Sequence, residues 1–481
     1  MAKKGKASRF KKLEKRVLLD KGYIWEGISK AEEAKVMALA EEYKTFLDAG
    51  KTERECAENI VALAEKQGYA PITGATTMKP GDKYHVMPFG KTVFLILVGK
   101  KPMEEGFNII GSHIDSPRLD LKPQPLYEDK TCNMALLRTH YYGGIKKYNW
   151  ASTELAIHAR VINQKGKTVD IVIGEDPTDP LFTIPDLLPH LYRESQALRK
   201  TPQVFKGEEL RLLVGNRGVD DKDIKNKVKL WVLDYLHTRY DIVEEDFITS
   251  EFEIVPAGKA RDVGFDRSMI GAYGQDDRVC AFTSMKALFD LKKPPNRTCI
   301  IMFFDKEEIG STGATGADSL LLQNVIAHLF EVRDGEMKYR EASVRKSLVN
   351  SYAISADVTA GINPIFKDVH EHDNASRLAK GIAVTKYTGS GGKYGASDAS
   401  PEFVGKLRTI LNNKKIPWQT GELGKVDEGG GGTIAKHMAF FGIHVVDAGP
   451  PLLSMHTPLE VCSKVDIKSS MDAYRAFLTD L

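Results

Sequence analysis

The sequence has few cysteines, and their placement predicts no disulfide or catalytic role. Five cysteines are spread over 481 residues, their number is odd, and no Cys-x-x-Cys pair occurs. Cys280 and Cys299 lie in apolar surroundings that are typical of core thiols. This pattern argues against a cysteine-nucleophile enzyme and predicts a reduced, cytoplasmic compartment.

The sequence also lacks long apolar runs and a strong net charge. No uninterrupted apolar segment reaches membrane-spanning length. The first 22 residues are basic but are not followed by the apolar region of a secretory signal, and they are typical of a solvated, partly frayed helix start. The 68 basic and 65 acidic residues leave a net charge of only +3. We therefore expect neither a nucleic-acid partner nor a membrane partner.

Length and patterning predict an α/β protein with more than one domain. A chain of 481 residues is too long for a typical single core. Apolar strand-like runs alternate with helical spacing, which predicts a mixed, mostly parallel sheet flanked by helices. Between 121 and 258 the strands instead alternate apolar and polar residues, as half-exposed antiparallel strands do. We expect an inserted β-rich domain at 121–258 within a discontinuous catalytic domain at 1–120 and 259–481.

Individual elements are also predicted from the apolar periodicity. Helices are expected over 31–48, 52–68, 219–239, 276–293, 429–442 and 465–481. Strands are expected over 91–99, 107–112, 154–162, 168–174, 298–304, 352–356 and 444–447.

Two adjacent carboxylates, Glu307 and Glu308, are the strongest chemical signal in the chain. They follow the apolar run 298–304, where a buried strand ends. Neighbouring side chains within a strand face opposite sides. At a strand end that leads into a glycine-containing turn, however, both can reach the cleft where open α/β sheets bind ligands. A solvated acidic turn is the plain alternative for such a pair.

Histidine and aspartate residues follow other apolar runs. His113, Asp276, Asp357 and His456 each come after a run of their own, and a parallel sheet would bring such ends to one edge. Together with Glu308 they form the mixed nitrogen and oxygen set that zinc accepts, and cobalt or manganese would suit it too. Three carboxylates favour two ions over one, with a carboxylate bridging ions about 3.5–4 Å apart.

The surrounding residues suggest roles within this set. Asp115, two residues after His113, is placed to hydrogen-bond the far nitrogen of that imidazole. Asp276 is the favoured bridging ligand because it begins a helix-like run, where a carboxylate is stabilised. Its neighbour Asp277 is the competing assignment.

The two glutamates are expected to divide the chemistry between them. We assign Glu308 to the metal and Glu307 to proton transfer. The natural reaction is hydrolysis of an amide, although another dinuclear hydrolase such as a dipeptidase or a deacylase is an alternative. An inactive shell or scaffold that keeps the fold is the alternative from a different class.

These motifs together resemble the aspartyl aminopeptidase and vacuolar aminopeptidase I family of dinuclear-zinc exopeptidases. They occur in family order and cover nearly the whole chain. The matching segments are His113-Ile114-Asp115-Ser116-Pro117, Asp276-Asp277-Arg278, Asp305 to Ser311, Ser355-Ala356-Asp357, Gly432-Thr433-Ile434 and Met455-His456.

The resemblance implies an aminopeptidase that removes single amino-terminal residues, neutral or acidic, from peptides. It implies two zinc ions bridged by Asp276. The remaining ligands would be His113 and Asp357 for one ion, and Glu308 and His456 for the other. It also implies that Glu307 is the base and that Asp115 orients His113.

The resemblance further implies an assembly. The inserted domain would act as a dimerisation domain or lid, and twelve chains would form a hollow tetrahedral shell, a homododecamer. His190 of the inserted domain would reach the active site of a neighbouring subunit.

The resemblance also implies that a substrate pocket is lined by Lys386 and by the 429–433 loop, with Gly431, Gly432 and Thr433. From the residues alone, that loop is as well explained by a close-packed turn. The preferred first residue stays open. The acidic pair 427–428 disfavours an acidic side chain by charge repulsion, whereas Lys386 favours one.

Overall fold

The computed structural model describes residues 9–19, 22–335 and 338–481, and these ranges contain eleven α-helices. The helices are α1 Arg9–Val17, α2 Lys30–Asp48, α3 Glu53–Glu65, α4 Pro189–Tyr192, α5 Lys227–Tyr240, α6 Gln275–Phe289, α7 Leu321–Asp334, α8 Glu341–Val349, α9 Pro401–Asn413, α10 Ala435–Phe440 and α11 Lys464–Asp480. Of the basic amino-terminal segment, residues 1–8, 20 and 21 lie outside the described ranges.

A nine-stranded mixed sheet is the centre of the fold. Its strands, in spatial order, are β1 Ala70–Pro71, β2 Lys83–Val86, β3 Val93–Leu97, β13 Cys299–Phe304, β4 Asn108–His113, β14 Tyr352–Ser355, β20 His444–Gly449, β16 Ile382–Thr385 and β18 Trp418–Thr420. The four central strands, β13, β4, β14 and β20, are mutually parallel. Their carboxyl ends therefore meet at one edge, and the predicted mixed, mostly parallel sheet is confirmed.

Helices cover both faces of this sheet. Along β13, Cys299, Ile301 and Phe303 pack into one apolar cluster with α2, α3, α6, α9 and α11. The alternate residues Ile300 and Met302 pack into a second cluster with α7, α8 and α10. Burial on both faces explains why this strand is a continuous apolar run rather than an alternating one.

A six-stranded antiparallel sheet lies between residues 118 and 256. Its strands, in spatial order, are β8 Thr168–Ile173, β7 Leu155–Ile162, β10 Ser250–Pro256, β5 Arg118–Asp129, β6 Met134–Tyr142 and β9 Arg211–Gly215. It has its own apolar core, which includes Trp150 and Phe247. The two alternating runs predicted at 154–162 and 168–174 are confirmed as the paired strands β7 and β8.

Two smaller sheets complete the described fold. Five short strands form one of them: β11 Arg261–Val263, β12 Met269–Ala272, β22 Glu460–Ser463, β21 Pro451–Leu453 and β15 Thr359–Ala360. The other consists of β17 Gly389–Ser390 and β19 Gly430–Gly431. Among the described helices, none is both long enough and apolar enough to cross a bilayer.

Two helix predictions are wrong in part. The helix expected over 429–442 covers only α10, because Gly430 and Gly431 pair as a strand with residues 389–390. The helix expected over 219–239 begins only at Lys227. The other predicted helices are confirmed with ends that differ by a few residues.

Candidate metal centre

The predicted metal ligands come from the ends of strands in two sheets. His113, Glu308 and Asp357 lie at the carboxyl ends of parallel strands of the nine-stranded sheet, whereas Asp276 and His456 follow β12 and β21 of the five-stranded sheet, so the prediction that one parallel sheet gathers all five is wrong in part. His113 is the last residue of β4 and pairs in register with Phe304, the last residue of β13. Asp357 comes two residues after the end of β14, the other neighbour of β4. The parallel register of these strands therefore brings residues from three distant segments together.

A turn with two left-handed residues brings both glutamates into the same cleft. Lys306 and Gly310 have φ angles of 71° and 92°, and they enclose a single 3₁₀ turn, Glu307–Ile309. The Asp115 carboxylate accepts hydrogen bonds from the backbone N–H groups of Glu307 and Glu308, each at 3.2 Å. The buried Asp115 carboxylate thus holds the turn in place.

Two groups of potential ligands share Asp276. One consists of His113, Asp276 and Asp357, and the other of Asp276, Glu308 and His456; within each group the ligand atoms lie within 4.8 Å of one another. The two carboxylate oxygens of Asp276 lie 3.2 Å from Nε2 of His113 and 3.2 Å from Nε2 of His456. This arrangement places Asp276 between the two groups.

The donor atoms fit a pair of cations. The other ring nitrogens of both histidines are already engaged, since Nδ1 of His113 lies 3.0 Å from the Asp115 carbonyl and Nδ1 of His456 lies 2.9 Å from the Gly144 carbonyl. Both Nε2 atoms therefore face the shared carboxylate. Oε1 of Glu308 is buried and has no hydrogen-bond partner among the described residues. Such an oxygen is suited to bind a cation.

The electrostatics of the site also call for positive charge. Burial raises the pKa of Glu308 and of Asp357 well above the usual range, and the neighbouring carboxylates raise it further. Burial alone would lower the pKa of His456, but the hydrogen bond with Asp276 and the nearby carboxylates raise it to about 10. The carboxylates of the site thus stabilise positive charge beside them, as a cation site requires.

Glu307 lies beside the two groups rather than within them. Its Oε2 is 3.9 Å from Nε2 of His113, and its side chain is 16% exposed in the cleft. Burial, together with Asp115 and Asp276, raises the pKa of Glu307 to about 7. A carboxylate with this pKa can both accept and return a proton near neutral pH.

Sequence reasoning missed two buried supports of this site. Glu460 accepts hydrogen bonds from the backbone N–H groups of Asp276 at 3.0 Å and His456 at 2.8 Å. The Tyr142 hydroxyl donates to the Asp115 carboxylate at 2.8 Å. An acidic residue at the start of a short apolar strand was a weak signal for Glu460, whereas no local pattern marks Tyr142.

A cleft of about 390 Å³ is lined by four of the candidate ligands, Asp276, Glu308, Asp357 and His456. The predicted substrate residues Gly431, Gly432 and Thr433 also line it. His190 and Lys386 are exposed and do not line it within this chain. Asp277 lies behind the site, where its carboxylate accepts a 3.4 Å hydrogen bond from the backbone N–H of His113.

Comparison with known proteins identifies the family. The model of the Aminopeptidase I zinc metalloprotease (M18) family matches residues 46–478. A relative from Borreliella afzelii, named probable M18 family aminopeptidase 1, is 47% identical over 454 residues. The match covers 94% of this chain and 98% of the relative.

Solved structures agree with this match. The M18 family aminopeptidase from Thermotoga maritima is 42% identical and superimposes with a TM-score of 0.90 over 96% of this chain and all of its own. The mApe1 dodecamer of S. cerevisiae shares the fold at 20% identity, with a TM-score of 0.73 over 91% of this chain and 96% of its own. The chain therefore belongs to the M18 family of zinc metalloaminopeptidases.

Proposed function

We propose that this aminopeptidase binds two zinc ions, one in each of the ligand groups that share Asp276. The observation that carries the proposal is the position of Asp276, whose two oxygens each face a different histidine at 3.2 Å. His113 and Asp357 would complete one site, and Glu308 and His456 the other. Bound zinc would polarise the scissile carbonyl and lower the pKa of the attacking water.

The protein's own residues would handle the proton. Glu307 lines the cleft beside both groups and has a pKa of about 7, so it would take a proton from the attacking water. It would then return that proton to the leaving amine. Asp115 would hold the backbone of Glu307 and the imidazole of His113 in place during both steps.

A comparison of free and blocked peptides tests this function against the alternatives. We expect tripeptides with a free amino terminus to lose their first residue, while amino-terminally acetylated versions are not cleaved. Metal analysis of the same preparation should give two zinc ions per chain. Cleavage of acetylated substrates would instead support a deacylase, and cleavage restricted to dipeptides would support a dipeptidase.

We propose that the cleft favours a neutral first residue over an acidic one. Lys386, which favoured an acidic side chain, and the acidic pair 427–428, which disfavoured one, both lie outside the lining of the cleft. Two lysines do line it: Lys425, and Lys393, whose ammonium is paired with Asp398 at 3.2 Å. The carboxylate of Glu422 and the apolar side chains of Leu423, Val426 and Met455 share the lining with them, which suits a neutral side chain. In a panel of aminoacyl arylamides we expect a higher kcat/KM for leucine than for aspartate, and the reverse order would refute this preference.

We further propose a homododecamer of subunits paired through an inserted domain at 121–258. The dodecameric mApe1 of S. cerevisiae shares the fold. Residues 181–198, which precede β9, expose six large apolar side chains, as an interface would. They are Leu181, Leu187, Leu188, Leu191, Tyr192 and Leu198. Because His190 is exposed on the same segment, it would be available to a neighbouring subunit.

The mass of the assembly tests this proposal directly. Native mass spectrometry should show twelve chains of 53.4 kDa each. A stable dimer or monomer as the largest species would refute it.

The cysteines are all free, which agrees with the proposed cytoplasmic location, and cell fractionation would test that location.

A further inference from the structure

The end of strand β6 contacts Asp115, which holds His113 of the first ligand group, and His456 of the second group. Tyr142 is the last residue of this strand, and its hydroxyl donates to the Asp115 carboxylate at 2.8 Å. Two residues later, the Gly144 carbonyl lies 2.9 Å from Nδ1 of His456. The six-stranded sheet therefore reaches both groups through three consecutive residues, Tyr142-Gly143-Gly144.

The carboxylate that Tyr142 contacts is shared by several parts of the site. Its oxygens accept from the backbone N–H groups of Glu307 and Glu308 and lie 3.3 Å from Nδ1 of His113. A rotation of Asp115 would consequently move one ligand, the neighbouring base and the orientation of an imidazole together. Tyr142 opposes that rotation through its hydrogen bond to the carboxylate.

The Tyr142 side chain is itself held firmly. It is only 9% exposed, and the Arg118 guanidinium lies 4.0 Å from the centre of its ring. Arg118 is buried and paired with Glu53 and Asp120. Burial and the nearby Asp115 carboxylate raise the pKa of Tyr142, so its hydroxyl keeps its proton and acts as a donor.

The two glycines permit the close approach. Gly143 has a φ angle of 74°, and a Cβ placed there would lie 3.3 Å from Cβ of Glu308. A Cβ at Gly144 would lie 3.4 Å from Nδ1 of His456. Any larger residue at position 143 would press on a ligand side chain as well as adopting an unfavourable backbone conformation.

We propose that Tyr142, Gly143 and Gly144 form a positioning element that sets the geometry of both zinc sites from the six-stranded sheet. Tyr142 acts through Asp115, and Gly144 acts through the imidazole of His456. The inference rests on the proposed two-zinc function. It adds that metal affinity depends on residues of a sheet that supplies no ligand.

Two substitutions with matched controls test this inference through metal binding rather than activity. Tyr142→Phe removes only the hydroxyl, while Tyr141→Phe makes the same change at the adjacent position, which is 40% exposed. Gly143→Ala introduces a methyl group beside Glu308. Gly166→Ala introduces one at a nearly equal φ angle of 73°, with no atom within 4 Å.

Zinc dissociation constants would be measured by competition with chelators, together with the thermal unfolding midpoint of each metal-free protein. We expect Tyr142→Phe and Gly143→Ala to weaken at least one zinc site about 10- to 100-fold, the usual effect of removing a support of a ligand. Tyr141→Phe and Gly166→Ala should bind zinc like the parent protein. Metal-free Tyr142→Phe should still be folded at the temperature of the titration, although the loss of a buried hydrogen bond to a carboxylate lowers its unfolding midpoint below that of Tyr141→Phe.

Parent-like zinc binding by Tyr142→Phe would overturn the inference, and so would an equal loss of affinity in Tyr141→Phe. A parent protein that binds fewer than two zinc ions would instead refute the proposed function. The two failures are therefore distinguishable in the same titration.

Discussion

Replacing Glu307 with glutamine should separate catalysis from metal binding. The amide has nearly the same shape as the carboxylate but cannot accept the proton of the attacking water. Glu307 is not a member of either ligand group, and its nearest histidine nitrogen is 3.9 Å away. We therefore expect Glu307→Gln to retain both zinc ions and its substrate affinity while losing turnover.

The size of the loss follows from the role of the residue. A positioned general base contributes about 10²- to 10⁴-fold to the rate, which corresponds to about 3–5 kcal/mol of barrier. The effect should appear in kcat, measured with an aminoacyl arylamide at saturating concentration, and KM should change little.

The adjacent residue provides the control. Glu308→Gln makes the same chemical change one position along, but at a ligand whose Oε2 lies 3.3 Å from Nε2 of His456. It should lose one zinc ion, as measured by elemental analysis, in addition to activity. Loss of zinc from Glu307→Gln to the same extent would show that the assignment of the two glutamates is wrong. A kcat within about fivefold of the parent would also show this, because a general base contributes at least about 10²-fold.

Two further predictions concern the shared ligand and the buried ion pairs. Asp276→Asn should weaken both zinc sites, whereas His456→Ala should lose only one zinc ion. The same number of zinc ions per chain in the two variants, measured by elemental analysis, would contradict a shared carboxylate. Glu53 pairs with Lys91 at 2.8 Å and with Arg118 at 3.1 Å. Burial raises the pKa of Glu53, but the two cations outweigh that effect and hold the pKa well below its usual value. Since the unfolded chain then binds more protons at Glu53, the stability from this group is complete above about pH 5 and is lost as the pH falls below about 4. Glu53→Gln should lower the free energy of unfolding at pH 7 by about 3 kcal/mol and flatten its decline in acid, as measured by urea unfolding; an unchanged acid profile would contradict this assignment.

The parts of the fold that were predictable are those encoded by local apolar runs. The central strands were recognised because burial on both faces makes them continuously apolar, as in Cys299–Phe304. The candidate ligands followed because each stands just beyond such a run. For His113, Glu308 and Asp357, convergence required only that neighbouring strands be parallel, which the alternation of strands and helices already indicated. Asp276 and His456 instead follow β12 and β21, which pair antiparallel with β22 in the five-stranded sheet, so a parallel sheet does not explain their position.

The parts that were not predictable depend on contacts between distant segments. Gly430 and Gly431 were expected to begin a helix, but they pair with residues 389–390, which lie 40 positions away in the sequence. Tyr142 and Glu460 support the candidate ligands from other sheets. Glu460 lies four positions after His456, but no spacing links it to Asp276 or links Tyr142 to Asp115. The choice between Asp276 and Asp277 likewise depends on where each carboxylate points, which a sequence does not specify.

The wide separation of the ligands along the chain has a consequence for biosynthesis. The first candidate ligand is residue 113 and the last is residue 456, 343 positions later. A nascent chain that has folded its early strands still lacks His456, and so the candidate ligand group that contains it stays incomplete. Ribosome-bound intermediates and truncated translation products would thus be unable to attack the free amino termini of other proteins.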